Sequence, residues 1–94
     1  MKDGEHIDYY TSGEIRSKIN YLDGKRHGEY ITYFISGEIS YKMNYIDGKR
    51  HGGYIRYFKD GGVYYKCNYI YDKPVTEFGW LSYNRNLTLE LLGL

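Results

Sequence analysis

The chain has 94 residues and a formal net charge of +1, enough for one small domain and too balanced to draw in nucleic acid or an anionic membrane by overall charge. Its single cysteine, Cys67, excludes an internal disulfide and requires no oxidising compartment. Fourteen tyrosines and 12 glycines, with no alanine or glutamine, form a vocabulary of pleated strands and tight turns.

Taken in chain order, the opening "MKDGEHIDYY" lacks the apolar run of a secretory signal. No later segment approaches the roughly 20 apolar residues that cross a bilayer, so a soluble, cytoplasmic protein is expected. From Gly4 the sequence reads "GEHIDYYTSGEIRSKINYLDGKRH", which returns in register from Gly28 and again from Gly52, a period of 24 residues. A period in this range indicates an array whose units pack on their neighbours. The expected units are residues 4–27, 28–51 and 52–75, a partial repeat over 76–86, and a non-repeat C-terminal cap over 87–94.

Within a unit, "EYITYF" (Glu29 to Phe34) and "ISYKMNY" (Ile39 to Tyr45) read as two strands of a hairpin. Ser36-Gly37 and Asp60-Gly61 are expected to form two-residue hairpin turns. The stretch "DGKRHG" reads as a longer connection from one hairpin to the next. Alternation puts Ile39, Tyr41, Met43 and Tyr45 on one face and Ser40, Lys42 and Asn44 on the other. In the first strand Ile31 and Tyr33, with Ile7, Tyr9, Ile55 and Tyr57, are expected inside. Asp8, Thr32 and Arg56 mark the wet side, which Tyr30, Phe34, Tyr54 and Phe58 then share. Pro74 fits an interruption of the ladder, and Trp80 is expected to anchor the junction with the tail. Leu87, Leu89, Leu91 and Leu92 fit either a strand or a short helix. That tail either blocks an open sheet end or makes a homodimer.

The segment "YFISGEISYKMNYIDGKRHGGYIRYF", Tyr33 to Phe58, resembles the MORN repeat, and more closely its variant form in YwqK-like antitoxins. The likeness extends over about Gly4 to Lys73, and the wording is also similar to MORN-variant proteins of giant DNA viruses of amoebae. The resemblance implies an all-β antiparallel meander of stacked hairpins in a single twisted sheet. It also implies use as a scaffold, an accessory module, an antitoxin-like partner-binding protein or a membrane-surface binder.

Candidate chemistry is sparse. Lys25, Arg26 and His27 repeat as Lys49, Arg50 and His51, so stacking is expected to place two basic clusters on one edge, suited to a phosphate, an acidic protein surface or a lipid headgroup. His6, His27 and His51 do not form a ligand set with a second cysteine. Cys67 stands where Ile19 and Met43 stand and reads as a small core hydrophobe. No catalytic residue, metal or cofactor is expected. Tyr30, Phe34, Tyr54, Arg56 and Phe58 are the candidate partner-binding residues, because aromatics and arginine anchor protein interfaces. The expected function is a non-enzymatic protein-interaction or scaffold module. The alternative is peripheral membrane or phosphoinositide binding through the Lys-Arg-His turns, and nucleic acid is the least favoured partner.

Overall fold

A computed structural model describes residues 3–76 and 79–85. Seven strands, β1 (Gly4–Tyr9), β2 (Ile15–Leu22), β3 (Lys25–Tyr33), β4 (Ile39–Ile46), β5 (Lys49–Tyr57), β6 (Val63–Ile70) and β7 (Lys73–Val75), follow one another in a single antiparallel sheet. The strands pair in sequence order, so the molecule is an open hairpin meander measuring 54 × 34 × 20 Å. A short helix, α1, covers residues 79–85. Among the described residues no helix is long and apolar enough to cross a membrane.

The two kinds of connection exchange the roles expected of them. Asp23-Gly24 and Asp47-Gly48 are the tight two-residue turns, with φ of 52° and 77° in the first and 50° and 81° in the second. Positive φ at both central residues is the hairpin turn whose twist matches that of the strands, and Asp-Gly adopts it readily. Lys-Arg-His therefore lies within β3 and β5 and is not part of a loop. Ser-Gly falls instead in the longer connections at residues 10–14 and 34–38, and Asp60-Gly61 in the equivalent connection at 58–62. There Phe34 N–H donates to Glu38 O at 2.8 Å while Phe34 O accepts from Gly37 N–H at 2.9 Å. The Ser36 hydroxyl donates to the Glu38 carboxylate, as Ser12 does to Glu14, and this bond lowers the pKa of both carboxyls.

Each strand alternates as expected, but the register between strands redistributes the faces. Ile31 stands opposite Lys42 and Lys18, Ile7 opposite Lys18, and Ile55 opposite Lys42 and Lys66. One face therefore carries a ladder of Ile7, Lys18, Ile31, Lys42, Ile55 and Lys66, in which isoleucines lie beside lysine stems. On the other face Tyr30 and Tyr54 oppose Met43, and Thr32 and Arg56 oppose Tyr41. This corrects the expectation that Ile31 and Tyr33 share a side with Tyr41 and Met43. Odd residues of one strand meet even residues of the next, so rows that look alike in sequence project to opposite sides.

Two irregularities recur with the repeat. Between Ile19 and Tyr21, and between Met43 and Tyr45, β3 and β5 bulge around Gly28 (φ 84°) and Gly52 (φ 95°). The side-chain amides of Asn20 and Asn44 donate across each bulge to the carbonyls of Glu29 and Gly53. That bond accounts for asparagine in the recurring "NY" pair, since a bulge leaves backbone groups that the ladder does not satisfy. The turns are further stitched along the array: Gly48 N–H donates to Arg26 O and Asp72 N–H to Arg50 O, both at 2.8 Å.

Only Met43 and His51 are buried among the described residues. The sheet is thus held by ring contacts and side-chain stems on both faces and, among the described residues, has no second layer of strands.

Where the partial fourth repeat would place its first strand, the chain forms α1. Thr76 caps it, with Gly79 N–H donating to Thr76 Oγ1 and Trp80 N–H to Thr76 O, both at 3.0 Å. Gly79 stands where the earlier units have Ile31 and Ile55, so the rung that would hold a fourth strand to Lys66 is missing. The expected cap at 87–94 lies outside the described residues.

Candidate functional site

The register gathers tyrosines from four strands on one face. In the second unit Tyr30, from β3, stacks on Tyr41 at 5.7 Å and contacts Tyr45 at 6.2 Å, both from β4. The third unit repeats this with Tyr54, from β5, at 5.9 Å from Tyr65 and 6.2 Å from Tyr69 of β6. Tyr41 and Tyr54 meet edge to face at 5.9 Å, joining the two groups into one surface. In the first unit the corresponding residues are His6, Ser17 and Tyr21, and only His6 and Tyr21 make the ring contact, at 5.0 Å. Cross-strand ring pairs of this geometry each contribute about 0.5–1.5 kcal/mol beyond area burial.

Guanidinium groups lie over these rings. Arg26 sits 5.8 Å from the centre of Tyr30 and 5.5 Å from Tyr45, and donates to the Tyr45 hydroxyl. Arg50 lies 4.6 Å over Tyr69, and Arg56 is 5.8 Å from Tyr41 and 5.7 Å from Tyr64. Arg50 is also bound to Asp72, Nε to Oδ1 at 3.0 Å, while the Arg50 backbone N–H holds the same oxygen. Those two bonds, the backbone one first, lower the Asp72 pKa. Among the described residues Arg26 and Arg56 have no carboxylate partner. At the end of the surface Tyr54, Arg56, Tyr64, Tyr65 and Tyr69 line a shallow cleft of about 350 Å³.

Burial, then the Tyr30 hydroxyl, pushes the Tyr41 phenol up to about 12. Burial also raises Tyr54 and Tyr69, and Tyr65 is raised chiefly by its contact with the Cys67 thiol. These phenols remain neutral hydroxyls at physiological pH. The face is therefore aromatic and hydrogen-bonding, with positive charge.

The residues singled out from sequence separate into four places. Tyr30, Tyr54 and Arg56 lie together on the tyrosine face, joined by Arg26 and Arg50. Phe34 and Phe58 lie at the five-residue connections, where Phe58 is exposed and packs at 4.9 Å against Tyr64. Lys25 and Lys49 are exposed beside the two-residue turns. His51 turns to the opposite face, buried against Tyr71 at 4.5 Å and against Trp80 and Tyr83 of α1 at 5.5 Å, its Nδ1 accepting from Tyr71 N–H. His27, half-buried, occupies the same position one repeat earlier. The Lys-Arg-His segments thus project to different sides and do not form compact basic clusters. Tyr41, Tyr45, Tyr65 and Tyr69 are residues of the same site that the sequence reading did not single out, and the pairing register is the signal that finds them.

Among the described residues no three His, Cys, Asp or Glu side chains come together to hold a metal ion. The fold and surface define a single-sheet hairpin-repeat protein that presents an aromatic face. Residues 2–23 and 26–47 match the family model described as the MORN repeat variant, in tandem, so this part of the chain is built of MORN-type repeats. MORN repeats are non-catalytic and occur in protein-binding or membrane-binding modules. Comparison with curated proteins and with solved structures finds no match.

Proposed function

We propose that the chain is a non-enzymatic protein-binding module whose tyrosine face is the recognition surface. The observation carrying this reading is the continuity of ring contacts from Tyr45 and Tyr30 through Tyr41 and Tyr54 to Tyr65 and Tyr69, under Arg26, Arg50 and Arg56. Tyrosine and arginine are the side chains that most often carry interface energy, because each offers a large, stiff apolar surface together with directed hydrogen bonds. A partner that presents apolar side chains beside carboxylates matches both properties. Neutralisation of a toxin is one form such binding takes.

The test compares proteins recovered from cells of the source organism by the wild-type chain and by a Tyr54→Ser/Arg56→Glu variant that retains the β-sheet circular dichroism signal. Recovery of one protein by wild type alone, persisting in about 0.5 M salt where exposed charge pairs are largely screened, supports the reading. Equal recovery by both chains refutes it. Co-sedimentation with anionic vesicles that disappears in high salt and on Lys49→Glu assigns the module to a membrane surface instead.

A further inference from the structure

The two ends of the sheet are incomplete in complementary ways. Strands β3 and β5 each run nine residues, Lys25–Tyr33 and Lys49–Tyr57. Strand β7 supplies only the counterparts of the first three, Lys73–Val75, and its pairing with β6 ends at Asn68 opposite Val75. Strand β1, Gly4–Tyr9, supplies the counterparts of the other six, Gly28–Tyr33, and among the described residues pairs only with β2.

Consequently Val63 to Cys67 of β6 have β5 on one side and, among the described residues, no strand on the other. Val63, Tyr64, Tyr65 and Lys66 are all exposed there, whereas the equivalent Ile39 to Lys42 of β4 are half-buried and Met43 is buried. Two depressions border this free edge: the tyrosine cleft, and a hollow of about 210 Å³ lined by Lys66, Cys67, Asn68, Val75 and Thr76.

We propose that β1 of a second copy of this chain adds to the free edge of β6, continuing the sheet head to tail. The repeat register dictates the pairing. Lys18 faces Ile31 and Lys42 faces Ile55 across the two inter-repeat seams, so Lys66 faces Ile7 of the second copy and extends the Ile–Lys ladder by one rung. By the same rule Tyr65 meets Asp8 and Cys67 meets His6 of the second copy. Charge favours this arrangement over a symmetric one. Strand β1 carries Glu5, and Asp8 bound to Arg16, while the opposite margin carries Lys66 and Lys73. Two β1 edges paired together would set carboxylates side by side, which is unfavourable across strands. An unpaired strand edge is a ready template for another chain. A contact between two different edges leaves one of each kind free, so it propagates beyond a dimer unless it closes on itself.

Light scattering and sedimentation velocity over a range of concentrations test the proposal. Wild type is expected to show concentration-dependent species larger than a dimer. Glu5→Lys and Lys66→Glu, which face each other diagonally in the proposed register, are each expected to weaken association about fivefold, the size of one cross-strand charge pair. The double exchange is expected to restore it. In a Cys67→Ser background, Ile7→Cys with Lys66→Cys is expected to give a ladder of disulfide-linked multimers under an added oxidant. A strict monomer at every concentration, a dimer that grows no further, or charge variants that associate like wild type would each overturn the proposal.

Discussion

Arg56 of β5 lies over the ring of Tyr41 in β4, 5.8 Å from its centre, across the seam between the second and third repeats. Tyr41 also contacts Tyr30 at 5.7 Å and Tyr54 at 5.9 Å, so one side chain ties three strands together. Tyr41→Ala is expected to destabilise the sheet by about 2–3 kcal/mol, somewhat below the loss for a fully buried aromatic. Urea unfolding followed by circular dichroism measures it. A loss under about 0.5 kcal/mol, typical of an ordinary surface substitution, would show that the tyrosine face does not hold the sheet.

The same tyrosine makes stability depend on alkaline pH. Its folded-state pKa, about 12, stands above the ordinary value of 10.0. Between those values the folded chain retains a proton that the unfolded chain releases. The stabilisation is therefore complete below pH 10 and is lost as pH rises toward 12. Tyr54 and Tyr69, also raised, contribute with the same sign. Urea midpoints measured through this window should fall with pH, and Tyr41→Phe should flatten part of the slope. An unchanged slope in that variant would remove Tyr41 as the source.

Two glycine substitutions should act in opposite directions. Gly48 holds φ at 81° in its two-residue turn, a conformation that costs an L-residue about 1–2 kcal/mol. Gly48→Ala is expected to destabilise by about that amount. Gly53, inside β5, has no such φ, and an added Cβ would meet only Asn68 Oδ1 at 3.9 Å. Gly53→Ala is expected to stabilise by about 0.4–1 kcal/mol by restricting the unfolded chain. Thermal melts of both variants decide the matter, and equal signs would contradict the assigned backbone.

His51 anchors α1 through Trp80 and Tyr83. Trp80 is the chain's single tryptophan, so its fluorescence reports on the seating of α1. His51→Ala is expected to shift the emission to the red and to lower its cooperativity of unfolding relative to the sheet's circular dichroism. An unshifted spectrum would mean that α1 stays seated without the histidine.

The repeat, the strands and the aromatic character of the sheet were legible in the amino-acid order. A period of 24 residues and alternation within each strand report local geometry. The exchange between the two kinds of turn was not legible, because Ser36-Gly37 and Asp47-Gly48 suit similar conformations, and which one closes tightly depends on the strands that flank it. The break after Val75 had a local trace in Gly79, which stands in an isoleucine position.

What the sequence settled by itself is the modular unit: a strand of about the same length, a turn, a second strand and another turn, written three times. Tertiary structure alone decided which rows share a face. Whether Tyr30 lies beside Tyr41 or on the opposite side depends on the register between two strands, and a register is a property of paired backbones that neither strand carries alone. For the same reason only the folded sheet brings Arg56 over Tyr41 and Trp80 against His51, and so creates one aromatic surface and one seated helix.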